Sequence, residues 1–199
     1  MEMARWDHLF GRFVSTILVG LFSSRAPIFR PSEAADDRSL PGIYAPMRVV
    51  ENGRPAPIHE TLAVKRRSPG IFTLTFSEDG KTMRAFDARL YEVAAKGKVP
   101  QRYFDLTPLP APKESKGDDM FPRVAHHHIL LFEFEDGRLD LRAFDPEKLA
   151  ALAKKAAVSF AGEPYTITAS SSEARRFFLN DAPEALSNGA TLYQQRRSR

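Results

Sequence analysis

A mainly β protein is what this sequence predicts. The expected form is an antiparallel meander of about seven or eight strands, curled into a barrel or half-barrel, with one or two short C-terminal helices. Three observations carry that expectation. Phe72, Leu74 and Phe76 alternate with Thr73, Thr75 and Ser77, the period of a half-buried strand. Turn signals punctuate the chain at Ser68-Pro69-Gly70, Glu78-Asp79-Gly80 and Asp136-Gly137, and connections this short force neighbouring strands to run antiparallel. The segment 124–155 then joins a hairpin to a capped helix.

In that segment Leu130, Phe132 and Phe134 share one face, with Glu133 and Glu135 on the other. Asp136-Gly137 suits a two-residue I′ turn, which needs positive φ at both positions. Leu139, Leu141 and Ala143 return inward, with Asp140 and Arg142 outward. Asp145 is placed as an N-cap, Pro146 at the first helical position and Glu147 in the first turn. Leu149, Leu152, Ala153 and Ala156 follow at helical spacing.

The remaining strands are read from alternation. Ile43 to Val50 forms a first strand that Pro46 restricts to an edge or bulge, and Asn52-Gly53 turns after it. Leu62 and Val64 point together in the next. Lys81 to Val93 carries Phe86, Ala88 and Leu90 on one face, and Arg102 to Thr107 is short. Pro108 to Pro122 is a proline-rich surface connection. Pro164 to Thr168 is one more strand. Ser170 and Glu173 form a capping box for a second helix with Ala174, Phe177 and Phe178 on one side. Asp181 to Gly189 reads as irregular, and Ala190 to Arg197 as a last strand with Leu192 inward.

Residues 1–30 differ from the rest. Phe13 to Phe22 (FVSTILVGLF) is apolar and uncharged, too short to span a bilayer, and Arg12 blocks its extension. It has the length of a signal-peptide core, and Ser24 and Ala26 are small residues before a cleavage point. An uncleaved anchor or interfacial helix and a cytosolic amphipathic N-terminus are the other readings. The expected organisation is a signal-like or anchor segment over 1–26, a polar linker over 27–39 and a single β-rich domain over 40–199. The expected address is the periplasm or a membrane-associated envelope, with membrane contact through residues 9–22.

Composition narrows the chemistry. The chain has 199 residues, 43% of them hydrophobic, 15 Phe and no Cys. That removes disulfides, thiolate metal sites, cysteine nucleophiles and acylation on cysteine. A net charge of +4 with scattered basic residues lacks the clustered basic face that nucleic-acid binding needs. No G-x-S-x-G, phosphate-cradling loop or placed carboxylate pair is present, so no catalytic residue and no cofactor is assigned. His126 and His128 share a strand face at i, i+2 and can hold zinc or copper if a third ligand arrives; His59, Asp87 and Asp105 are the candidates. His127 points the other way.

From residue 42 to 179 the chain resembles a family of uncharacterised bacterial envelope proteins, many of them lipoproteins, with a lipocalin-like β-meander. The matching pieces are LPGIY (40–44), GIFTLTF (70–76), AFDARLYEV (85–93), YFDLTP (103–108), HHILLFEFEDGRLDLRAFDPEKLAAL (127–152) and ITASSSEARRFFL (167–179). The resemblance implies a fold and an envelope address, and no catalytic residues. The first functional expectation is a non-enzymatic protein binding an apolar ligand or lipid. The second is a structural or protein-interaction module with a filled core, docking through a sheet edge or the 108–122 loop. The third is a metal site at His126 and His128.

Overall fold

The computed structural model describes residues 21–46, 49–51, 54–56, 59–94, 99–110, 127–161 and 166–195, with backbone only at 49–51, 54–56 and 188–189. Its strands are β1 (Phe22–Ser24), β2 (Gly42–Ala45), β3 (Val49–Glu51), β4 (Arg54–Ala56), β5 (Glu60–Ser68), β6 (Ile71–Glu78), β7 (Lys81–Val93), β8 (Gln101–Pro108), β9 (His127–Glu135), β10 (Arg138–Phe144), β11 (Phe160–Ala161), β12 (Thr166–Ile167) and β13 (Leu186–Gln194). Helices α1 (Pro146–Lys155) and α2 (Ser171–Asn180) follow β10 and β12. Strands β2, β5, β6, β7, β8, β9, β10 and β13 pair in a ring, so the meander closes as an eight-stranded antiparallel barrel.

Local sequence explains most of these elements. Asp136 and Gly137 adopt φ of 48° and 78°, the left-handed pair of a I′ hairpin, and Asp79 and Gly80 repeat it at 48° and 74°. Asp145 accepts from the N–H groups of Glu147 and Lys148 at 3.0 and 3.1 Å. Ser170 and Glu173 form the expected reciprocal capping box. Leu62, Phe72, Leu74, Phe76, Phe86, Ala88, Leu90, Phe104, Leu130, Phe132, Leu139, Leu141 and Leu192 fill the barrel interior. Phe104 stacks on Phe132 at 4.5 Å and meets Phe72 edge-on at 5.7 Å.

A second core lies outside the barrel. Tyr91, Val93, Tyr103, Ile129, Leu131 and Phe144, from β7 to β10, pack against Leu149 and Ala153 of α1, Ala174, Phe177 and Phe178 of α2, and Phe22, Ile28 and Phe29. Strands β2, β5 and β6 contribute nothing to it.

The N-terminal reading changes here. Residues 1–20 lie outside the described residues. Leu21, Phe22, Ser23 and Ser24 are buried, and β1 pairs antiparallel with β9 and parallel with β12. Phe22 meets Phe178 at 4.8 Å and Phe144 at 5.9 Å. A break after Ala26 would therefore take a strand out of the sheet.

Residues 27–39, read from sequence as a polar linker, form a strap along the barrel. Ile28 and Phe29 are buried in the outer core. Arg175 clamps Glu33 through both guanidinium nitrogens and donates to the Ile28 carbonyl at 2.8 Å. Asp36 takes Arg66 at 2.9 and 2.7 Å and the Gly70 N–H at 2.9 Å. Asp37 takes Arg102 at 2.7 Å. A Cβ on Gly70 would lie 2.7 Å from the Ala35 carbonyl oxygen, so glycine lets the strap cross the β5–β6 turn. Leu40 then plugs the barrel end, completely buried, and accepts from the Tyr44 hydroxyl at 2.5 Å. Burial pushes that hydroxyl up to about 12. The segment looked like a linker because its apolar residues are few and without period.

Three further elements differ from expectation. The expected strand Ile43–Val50 stops at Ala45, because Pro46 has no N–H for the ladder; residues 49–51 pair instead with 54–56 in a separate hairpin. The Asn52-Gly53 turn lies outside the described residues. The last strand starts at Leu186 and not at Ala190, after a short 3-10 helix over Ala182–Ala185. A register shift between Leu141 and Ala143 absorbs the extra residues near Asn188-Gly189, and such a bulge erases alternation in the sequence. Strand β11 and strand β1 had no sequence signal of their own.

Leu74→Ala, at the middle of the inner core, should cost about 2–5 kcal/mol in urea unfolding, and Phe22→Ala about 3–5 kcal/mol. A loss under about 0.5 kcal/mol for Phe22→Ala would mean that β1 is not part of the folded core.

The strap also predicts acid sensitivity. Partial burial pushes the Glu33 carboxyl up, but Arg175 and the Arg30 N–H together outweigh it and leave the group below its ordinary value. Asp37 shows the same balance against Ser39 and Arg102. Arg66 and the Gly70 N–H hold Asp36 down to about 2. Between that value and the ordinary 3.8 the unfolded chain binds a proton that the folded chain refuses. The Asp36 contribution is therefore fully present above 3.8 and is lost as pH falls towards 2. Asp36→Asn should flatten the slope of stability against pH in that window, measured by thermal denaturation; an unchanged slope would remove Asp36 from the account.

Candidate functional site

The polar groups that the fold brings together lie where β1 joins β9. Register places Ser23 opposite His128 and Ser24 opposite His127. Side chains alternate along a strand, so Ser23 and His128 face the barrel interior with Leu130, while Ser24 and His127 face the outer core with Ile129. The Ser23 hydroxyl lies 2.8 Å from His128 Nδ1. Both residues are buried, at 2% and 1% exposure. On the outer face His127 donates from Nδ1 to Asp105, 2.9 Å from each carboxylate oxygen. Asp105 is itself buried on β8, in register with Ile129. Ser24 donates to the Ala26 carbonyl at 2.9 Å, and Thr166 of β12 is buried opposite Ser23.

The residues weighed as metal ligands go to separate places. His126 lies outside the described residues. His128 faces inward and His127 outward, as alternation requires. Asp105, offered as a third ligand for His128, bonds His127 on the opposite face. Asp87 pairs with Arg67 at 2.7 Å on the outer wall. His59 bonds Asp79 at the exposed β6–β7 turn. Among the described residues no three His, Asp or Glu side chains are grouped closely enough to hold a metal ion.

Ser23 and His128 have the contact of a nucleophile and its base, yet the arrangement does not suit acyl transfer. A working triad needs an acid behind the same imidazole and an approach for the substrate. Here Asp105 bonds the neighbouring ring of His127, and Ser23 and His128 are both buried, which closes the approach. What the cluster does is mechanical: the inner pair Ser23–His128 pins β1 to β9, and the outer pair His127–Asp105 ties β9 to β8.

The chain matches no family model, and neither a curated protein nor a solved structure is significantly similar to it. The functional reading therefore stands on the residues themselves.

Sequence reasoning singled out the histidines and missed their partners. Ser23 is 105 positions from His128, inside a stretch that reads as a leader. The one available signal was Asp105, a carboxylate set among the apolar residues of YFDLT, since a buried acid requires a partner.

His128→Ala should cost about 1–3 kcal/mol, because it leaves the Ser23 hydroxyl buried without that bond. Ser23→Ala with His128→Ala should cost less than the sum of the two by about 0.5–1.5 kcal/mol in a double-mutant cycle. Strict additivity would show that the contact adds nothing.

Proposed function

We propose that this protein is a non-enzymatic interaction module of the cell envelope, a barrel with a filled core that docks a protein partner on its bare wall. The carrying observation is the asymmetry of the outer surface. The wall of β7 to β10 lies under the second core, while the wall of β2, β5 and β6 takes no part in it. Across that wall runs a register row of Ile43, Ala63, Thr75 and Ala85. The side chains are small, and Ile43 is a large apolar residue with 48% exposure. Charges stand at the margin, in Lys65 and the Arg67–Asp87 pair. The outer wall of a closed barrel is not concave, so it suits a protein face better than a small molecule, which prefers a concave site.

The apolar-ligand reading is weaker on this geometry. Phe104 contacts both Phe72 and Phe132 in the interior, and Leu40 closes one end. The envelope address rests on the apolar run 13–22 and on the family resemblance.

A photo-crosslinking residue at position 75, in the native host, should capture one protein. Ile43→Arg should abolish that product while changing stability by no more than about 0.5 kcal/mol, as expected for a surface site. Equal capture with and without Ile43→Arg would sink the reading. A lipid retained at unit stoichiometry in a native mass spectrum of the protein from its host would restore the ligand reading in its place.

A further inference from the structure

We propose that the wall of β2, β5 and β6 takes another protein whose docking face has an apolar centre and carboxylates along one side. This rests on the docking reading above and adds the chemistry of the partner.

The first observation is how charge is distributed over the wall. Odd-numbered side chains of β5 and β6 point outward. On the side of the Ile43, Ala63 and Thr75 row that faces the β6–β7 turn lie Thr61 and Ser77, in register and uncharged. On the other side lies Lys65, in register with Thr73, and beyond it Arg67. Arg89 of β7 stands on that side too, in register with Ile71. Lys65, Arg67 and Arg89 are all exposed. The cations therefore share the margin at the β5–β6 turn, and the opposite margin is neutral.

The second observation is that the acids around this margin are already engaged. Among the described residues no carboxylate takes an outward position on β2, β5 or β6; Glu60 and Glu78 share the inward parity of Leu62 and Phe76. Asp87, in register with Thr73, bonds Arg67 at 2.7 Å. Asp36 of the strap is taken by Arg66 and the Gly70 N–H. Asp105, in register with Arg89, bonds His127. Lys65 is left exposed, with no ion pair among the described residues.

The third observation selects the class of partner. A nucleic acid needs stacking rings beside the cations, and the outward positions described on these three strands carry no ring. A protein face seated on Ala63 and Thr75 brings its own carboxylates to Lys65, about 7 Å further along the strand. Charge at such a rim sets the encounter rate and the choice of partner.

The crosslinking residue at position 75 tests this in the native host with three variants. Lys65→Glu should lower the yield of the crosslinked product, and Lys65→Arg should keep it. Asp87→Asn, which removes the carboxylate that competes for Arg67, should raise it. All three should keep the wild-type thermal melt, and the crosslinked peptide of the partner should contain Asp or Glu. The captured protein, once purified, should associate more slowly as salt is raised, since the screening length falls from about 10 Å at 0.1 M to about 3 Å at 1 M. Yields unmoved by Lys65→Glu and Asp87→Asn would overturn the charged margin and leave the docking wall in place. A captured nucleic acid, or a product made only of this chain, would overturn the acidic protein partner. No product from any variant would sink the docking wall itself.

Discussion

Strand β9 is apolar on both faces, and that constraint organises the molecule. Leu130 and Phe132 enter the barrel, while Ile129 and Leu131 enter the outer core. Along its C-terminal part β9 pairs with β10 and closes the ring; along its N-terminal part it pairs with β1 and opens a side branch through β12 and β11. A strand with one wet face would have needed only the barrel. This one also needs a cover for its outer side, and α1, α2 and β1 supply it.

The cover explains why so much polar chemistry is buried at the same place. Bringing β1 against β9 takes Ser23 and Ser24 out of water beside His127 and His128. A buried polar group is costly unless it is hydrogen-bonded. The fold meets that requirement with Ser23–His128 inside and His127–Asp105 outside. A cluster that resembles a catalytic arrangement in its atoms is thus accounted for by the demands of packing.

The strap solves a different problem. An open barrel end exposes the inner core to water, and Leu40 with Ala35 covers it. The chain reaching that position is polar, so it is held by charge: Glu33 to Arg175, Asp36 to Arg66, Asp37 to Arg102. These pairs are partly exposed, and such pairs contribute little individually. Their role is to fix the path of the strap so that Leu40 arrives at the barrel mouth.

The sequence by itself determined the class of fold, the turns and the inward faces. Phe72, Leu74 and Phe76, the Asp136-Gly137 hairpin, and the caps at Asp145 and Ser170 all depend on contacts within a few residues, which periodicity and turn chemistry record. It also placed His127 and His128 on opposite faces, because alternation is local. What only the tertiary structure decided is non-local. That the ring closes, that Phe22–Ser24 becomes a strand beside His127–Ile129, that residues 27–39 strap the barrel, and that Asp105 belongs to His127 are matters of register between segments far apart in the chain. Pairing of that kind is set by the total burial of two cores, and no short stretch of sequence carries it.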